Sequence, residues 1–276
     1  MKQLLVRFAP PQFVHWGKCV FDTDYRRKSH HLKRLKSVPR YRPTVTNIFG
    51  KPFALADSAS FISSFRQIFD EQIYRFKSNT ERPYILDCGA NIGLSVVYFK
   101  QLFPHSRIVA FEADSQIFEI LNRNVTSFGY DDVELVNRAV WNCETDLNFT
   151  SDGADGGRLS VSNDKPDNVV KTVRLRDYLD RRIDFLKIDI EGAETVVLED
   201  CGDALKNVES LFVEYHSFAE QQQTLNNLLE ILSQAGFRLH IHAPMPSPQP
   251  FLKRYSEMGM DMQLNIFAFR SGLETR

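Results

Sequence analysis

An α/β fold built on a doubly wound, mostly parallel sheet is what this chain predicts, on three observations. From Tyr84 onward, short apolar runs alternate with stretches of helical periodicity. These apolar runs have strand length. The first of them ends in a glycine-bracketed turn that opens a helix. Alternation of this kind gives parallel strands with helices on both faces of the sheet.

The N-terminal part is different. Residues 1–56 carry Pro10, Pro11, Pro39, Pro43 and Pro52 and no sustained periodicity, so an irregular or partly helical segment is expected there. From Ser58 to Phe76 the apolar positions Phe61, Ile62, Phe65, Ile68, Phe69, Ile73 and Phe76 recur every three or four residues, the pattern of an amphipathic helix that serves as a lid or brace. Asn79 to Pro83 breaks the chain. Residues 1–80 are therefore read as an N-terminal helical extension and 81–276 as the main domain.

In the main domain the expected order starts with strand Tyr84–Asp87, helix Ile92–Leu102, strand Arg107–Glu112, helix Gln116–Phe128 and strand Val133–Asn137. A glycine-studded stretch, Asp152 to Gly157, follows, flanked by strands Asp146–Thr150 and Val169–Val173. The segment Asp152–Ser160 reads as a connecting hairpin or as a flap carrying Arg158. Strand Asp184–Ile190, helix Ala193–Glu199, strand Ser210–His216 and helix Thr224–Gln234 continue the alternation. Strands near Phe237–Ile241 and Gln263–Phe269 close it around a proline-rich loop.

Composition narrows the class. A hydrophobic fraction of 43% and a charged fraction of 25% are ordinary globular values and exclude a wholly disordered chain. Apolar runs fall short of the ~18 residues that span a bilayer. The four cysteines, Cys19, Cys88, Cys143 and Cys201, form no CxxC pair. With no signal-peptide core in MKQLLVRFAPPQF, a reduced, cytoplasmic protein is expected. The net charge of −1 hides an asymmetry: residues 26–42 hold eight basic residues and no acid, and the rest of the chain carries −9. That segment is either a solvated linker or a contact for an anionic surface or a phosphate-bearing substrate. Only Tyr25 and Tyr41 accompany it, too few aromatics for base stacking, so no nucleic-acid partner is expected.

Ligands of such sheets sit beyond the carboxyl ends of the strands. The first strand ends in Asp87-Cys-Gly-Ala-Asn-Ile-Gly93, where Gly89 and Gly93 bracket a tight turn that lets a ligand approach the backbone. Nineteen residues past Gly93, Glu112 closes the second strand, placed to accept hydrogen bonds from both hydroxyls of a ribose. A nicotinamide dinucleotide would want G-x-G-x-x-G against its pyrophosphate, and Asp87 beside the turn would repel it. A zwitterionic amino acid joined to a nucleoside suits these charges better, which points to S-adenosylmethionine. The expected cofactor-binding set is Asp87, Gly89, Ala90, Asn91, Gly93, Glu112, Ala113 and Asp189.

The segments ILDCGANIGLSVVYFK, IVAFEAD and DFLKIDIEGAE resemble, in order and spacing, the FkbM family of S-adenosylmethionine-dependent methyltransferases, over roughly Tyr84 to His216. One departure is visible: the family usually has proline after the second-strand glutamate, where this chain has Ala113. The resemblance implies a class I, Rossmann-like methyltransferase fold with a seven-stranded sheet. It also implies O-methylation of a sugar hydroxyl or a polyketide-like alcohol.

Period-two alternation puts Lys187 and Asp189 on one face of their strand and Glu214 and His216 on one face of the next, with Glu191 and Glu194 extending the polar set. Methyl transfer to a hydroxyl requires an in-line arrangement and a base for the hydroxyl proton. His216, Asp189 and Glu191 are the candidate bases, and Lys187 is either catalytic or a counter-ion that keeps the carboxylates ionised. Asp189, Glu214 and His216 could alternatively hold a divalent cation, although no local ligand spacing supports a metal. The leading expectation is a glycan O-methyltransferase acting on a small-molecule or lipid-linked acceptor. A nucleic-acid methyltransferase, a non-catalytic cofactor-binding module and a hydride-transferring oxidoreductase are the alternatives.

Overall fold

The structure is a computed structural model, and it describes residues 23–151, 153, 157–160, 168–253, 256 and 258–270. Among them, a seven-stranded sheet forms the centre. Its members are β3 (Tyr84–Cys88), β4 (Arg107–Phe111), β5 (Val133–Val136), β10 (Ile183–Ile188), β11 (Val208–Phe218), β12 (Arg238–His242) and β13 (Met260–Phe269). Their spatial order is β12-β13-β11-β10-β3-β4-β5. The five strands from β5 to β11 run parallel, while β13 lies antiparallel to both β11 and β12. Numbered along the sheet alone, this is 3-2-1-4-5-7-6, a Rossmann-like class I methyltransferase fold with one reversed strand.

Helices cover both faces: α3 (Leu94–Leu102), α4 (Ser115–Phe128), α5 (Glu194–Cys201) and α6 (Leu225–Gln234) connect the strands. Burial explains the run patterns. All six residues of β10 are buried, including Asp184 and Lys187, because both faces of a central parallel strand are covered. The strands and helices read from the sequence after Tyr84 recur in the same order with boundaries shifted by a few residues, and the structure adds short strands that the sequence reading lacked.

The N-terminal part contains α1 (Thr23–Leu35), a hairpin of β1 (Thr44–Thr46) and β2 (Phe53–Leu55), and α2 (Ser58–Phe65). The helix expected from Ser58 to Phe76 is shorter than its periodicity suggests. After α2 it widens into a single π-helical stretch, Arg66–Asp70, and Gln72 takes a φ of 57°. That turn lets the last aromatics leave the helix and pack on the sheet. Tyr74 meets Phe212 edge-on with centroids 4.9 Å apart, and Phe76 stacks on Phe185 at 4.7 Å. Buried Asn124 fastens the hairpin to the main domain, accepting from the Ala54 amide at 2.7 Å and donating to the carbonyls of Ala54 and Ile92.

A second, four-stranded sheet, in the order β6-β9-β7-β8, forms from β6 (Ala139–Trp141), β7 (Asp146–Thr150), β8 (Arg158–Ser160) and β9 (Asn168–Arg174). β7 and β8 pair antiparallel. Residues 152 and 154–156 and the Arg158 side chain lie outside the described residues, as do residues 1–22. No helix of the described residues is long and apolar enough to cross a membrane.

Candidate active site

Three strand ends build the floor. Gly89, just past β3, has a φ of 82°, and a Cβ there would lie 1.9 Å from the Asp189 carbonyl oxygen beyond β10. Glycine is therefore required on two counts, conformation and space. Its amide and that of Ala90 both donate to the Phe111 carbonyl at the end of β4, at 3.0 and 2.9 Å. Gly93, with a φ of 88°, starts α3.

Glu112 is the tie between the neighbouring turns. One carboxylate oxygen accepts from the Asn91 amide and the other from the Asp114 amide, both at 2.9 Å. Burial pushes its pKa up to about 7, against the pull of those two amides. Asp114 caps α4, accepting from the Gln116 and Ile117 amides. The turn after β4 is held by the Asn137 amide group, which donates to the carbonyls of Glu112 and Ala113 at 2.9 and 3.3 Å.

A cavity of about 650 Å³ opens over these strand ends. That is within the rough range of 300–1,000 Å³ typical of small-molecule sites. Ala113, Ile117, Ala139 and Val140 line it beside Glu112, an apolar slot suited to a purine next to a ribose-binding carboxylate. Gly89, Ala90, Asn91, Leu94 and Ser95 bring the turn and the start of α3 to the same wall. Each glutamate oxygen keeps a lone pair after its amide bond, so Glu112 can accept from two hydroxyls. These donors and acceptors fit S-adenosylmethionine, with Glu112 at the ribose and Asp189 available to an ammonium.

Asp87 is not where direct contact with that ammonium requires it. It is fully buried and absent from the cavity wall. Its Oδ2 accepts from Ser95 Oγ at 2.5 Å, and its Oδ1 has no hydrogen-bond partner but lies 3.5 Å from Lys187 Nζ. The last pleat of β3 turns this side chain under the floor, so it acts on the cavity through Ser95 and Lys187, which both line it. Lys187 is also an anchor rather than a free catalyst. Its ammonium donates to the Gly89 carbonyl at 2.8 Å and lies 3.2 Å from Asp189. Burial works to discharge Lys187, but Asp189, Tyr74 and Asp87 outweigh it and hold its pKa well above the usual value.

His216, on β11, faces a ring of carboxylates. Its Nδ1 is 2.9 Å from Glu194 Oε1, which also accepts from the Gly192 amide at 2.9 Å. Its Nε2 lies 3.7 Å from Glu191 and 4.0 Å from Glu214. Glu191 reaches this position from a left-handed turn, with a φ of 54°. Burial resists a charge on the ring, but Glu191, Glu194 and Glu214 prevail and raise the His216 pKa well above 6.5. Burial, aided by like charge from Asp189, raises Glu191 to about 8 and Glu214 to about 7. These groups titrate as a set. Gln263 donates to Glu214 from the adjacent strand.

The structure thus brings Lys187, Asp189, Glu191 and His216 to one cavity with the glycine turn and Glu112. Asp189, Glu214 and His216 each offer a ligand atom within 4.8 Å of the others, so the cation reading is geometrically open. An imidazolium among three carboxylates already answers much of the charge that such a cation would neutralise. Sequence reasoning grouped Glu194 with the polar cluster but did not pair it with His216. It missed Tyr74, Arg40 and Asp57, which the N-terminal part contributes to the wall. Arg40 and Asp57 form an ion pair at 2.9 Å there.

A family model described as the methyltransferase FkbM domain matches residues 87–239. Methyltransferase 1 of Beauveria bassiana is 26% identical over 217 residues, covering 69% of this chain and 86% of that protein. The 2-O-methyltransferase NoeI of Sinorhizobium fredii is 26% identical over 174 residues, covering 54% of this chain and 71% of its own. Among solved structures, the methyltransferase FkbM of Methylobacillus flagellatus aligns with a TM-score of 0.48 and 14% identity, covering 88% of this chain and 60% of that one.

Proposed function

The chain belongs to the FkbM family of S-adenosylmethionine-dependent methyltransferases, and from that premise we propose that it methylates a hydroxyl oxygen of a sugar or glycan. The observation that carries this reading is the buried contact of His216 Nδ1 with Glu194 Oε1, 2.9 Å apart, which holds a ring that lines the cofactor cavity. A hydroxyl ionises far above neutral pH and needs a proton acceptor when it attacks. Glu194 fixes the ring so that Nε2 is the nitrogen left to receive that proton. A carboxylate acceptor would be repelled by Asp189, Glu191 and Glu214, whereas a hydroxyl group can donate to them. The name of the relative NoeI, a 2-O-methyltransferase, agrees with an oxygen acceptor.

When bound, S-adenosylmethionine supplies an electrophilic methyl group on a positively charged sulfur. The chain's own residues do the rest. Glu112 and the glycine turn would hold the nucleoside end, and Lys187 pairs with Asp189 and holds the Gly89 carbonyl in place. Ser60, Ser64 and Gln67 give the outer wall the short polar character that a polyhydroxylated acceptor can pair with. His216 takes the acceptor proton.

The test is a methyl-transfer assay with isotopically labelled cofactor and panels of free sugars, lipid-linked glycans and nucleic acids. Label on a sugar oxygen supports the reading, and label on a nucleobase or on no acceptor overturns it. Because Asp189, Glu214 and His216 stand close enough to bind a cation, the assay is run with and without chelator. An unchanged rate assigns the activation to a protein side chain, and a rate lost to chelator and restored by Mg²⁺ or Mn²⁺ assigns it to a metal.

A further inference from the structure

The loop between β12 and β13 carries an apolar tip that the protein itself leaves uncovered. Phe251 and Leu252 are 102% and 85% exposed. They are presented by a closed turn rather than a slack end: the amides of Leu252 and Lys253 both donate to the Gln249 carbonyl, at 2.9 and 2.7 Å. Lys253 beside them is exposed. The same loop supplies Pro244, Met245 and Met258 to the cavity wall, and both methionines are exposed on the outer side. Adjacent exposed side chains of this size mark a surface that something apolar covers.

The cavity wall also includes Arg40 and Tyr41, near the end of the basic segment. Arg26, Arg27, Lys33, Arg34, Lys36, Arg40 and Arg42 are all exposed, and residues 26–42 contain no acid. Much of this charge sits on α1, which packs on α2, and α2 lines the cavity through Ser60, Ser63 and Ser64. The loop that carries the apolar tip and the end of the basic segment therefore both contribute to the wall of one cavity. An interface of fatty-acyl and anionic groups has the chemistry to meet both: headgroup phosphates attract the basic face, and the acyl boundary accepts the phenyl and isobutyl groups. We propose that this rim docks the protein on an anionic phospholipid bilayer, with the cavity opening toward the membrane surface.

The test is co-sedimentation of the full chain with phosphatidylcholine vesicles and with vesicles that also contain phosphatidylglycerol. The expected result is binding to the anionic vesicles, weakened at about 1 M salt, where the screening length falls to ~3 Å. Two variants, Phe251→Asp/Leu252→Asp and Lys33→Glu/Lys36→Glu, should each weaken that binding about tenfold or more. Calorimetric titration of the cofactor into the same preparations checks that the variants are folded, and the labelled-cofactor assay tests the proposed methyl transfer separately. Wild-type protein that ignores both vesicle types overturns the proposal. So does wild-type-like vesicle binding by either variant, or binding to a protein or nucleic-acid acceptor that competes with the same residues.

Discussion

His216 Nδ1 and Glu194 Oε1 meet at 2.9 Å although 22 positions separate them in the chain, and each side chain is at least nine-tenths buried. β11 carries the histidine and the first turn of α5 carries the glutamate. The pairing orients the ring, so removing either partner should damage turnover more than binding. His216→Ala is expected to lower kcat by about 10²–10⁴-fold, the usual worth of a positioned general base. Cofactor affinity in calorimetry should stay close to wild type. Glu194→Gln should lower kcat less, because the ring keeps a hydrogen-bond partner. Unchanged kcat in His216→Ala moves the base to Asp189 or Glu191.

The pH dependence of the rate follows from the carboxylates around that ring. His216 must be unprotonated to act, and Glu191 is the largest of the influences that keep it protonated. Activity should therefore rise with pH on the alkaline side of neutrality. Glu191→Gln removes a negative charge 3.7 Å from Nε2, lowers the His216 pKa and moves that rise to lower pH. Loss of activity at every pH in Glu191→Gln would instead show that Glu191 itself receives the proton.

Glu112 should make cofactor binding itself pH-dependent. Its pKa of about 7 in the free protein comes from burial. The ionised carboxylate can accept from both ribose hydroxyls while keeping its two amide bonds, whereas the protonated form loses an acceptor site, so binding favours the carboxylate. Below pH 7 the carboxyl must give up its proton on binding, and affinity should fall as pH falls through 7. Calorimetry in buffers of different ionisation enthalpy should detect one proton released below that pH. In Glu112→Gln both the proton release and much of the affinity should vanish.

These groups were unequally visible before the structure. Gly89, Gly93 and Glu112 could be read directly, because a glycine-bracketed turn after one strand and an acid closing the next are local patterns. The face shared by Lys187 and Asp189, and that shared by Glu214 and His216, followed from period-two alternation in β10 and β11. The His216–Glu194 bond could not follow from either strand, since it depends on how α5 leaves β10 through the left-handed turn at Glu191 and Gly192. Tyr74 was hidden for a different reason. Its spacing continues the α2 pattern, and only the π-helical stretch and the turn at Gln72 carry it off the helix onto Phe212. The three-residue strands β1, β2, β6 and β8 are too short for any periodicity, and their pairing is set by long-range contacts.

Asp87 shows where position along a strand was legible and depth was not. Its place at the end of β3 suggested a ligand contact, yet the side chain is fully buried against Ser95 and Lys187. Its removal should therefore be felt first as instability. Asp87→Ala leaves the Lys187 ammonium, itself 2% exposed, with Asp189 as its one remaining carboxylate. Breaking a buried charge pair in this way costs about 3–5 kcal/mol. Thermal and urea unfolding of Asp87→Ala should show a loss of that order, and Asp87→Asn, which keeps the Ser95 hydrogen bond, a smaller one. The double variant Asp87→Ala/Lys187→Met should recover part of the loss, because the buried ammonium goes with its partner and the carboxylate left behind, Asp189, is partly exposed. Cofactor affinity in Asp87→Asn should fall only as far as Lys187 and Ser95 shift the wall. A variant that unfolds like wild type but cannot bind cofactor would place Asp87 at the ligand after all.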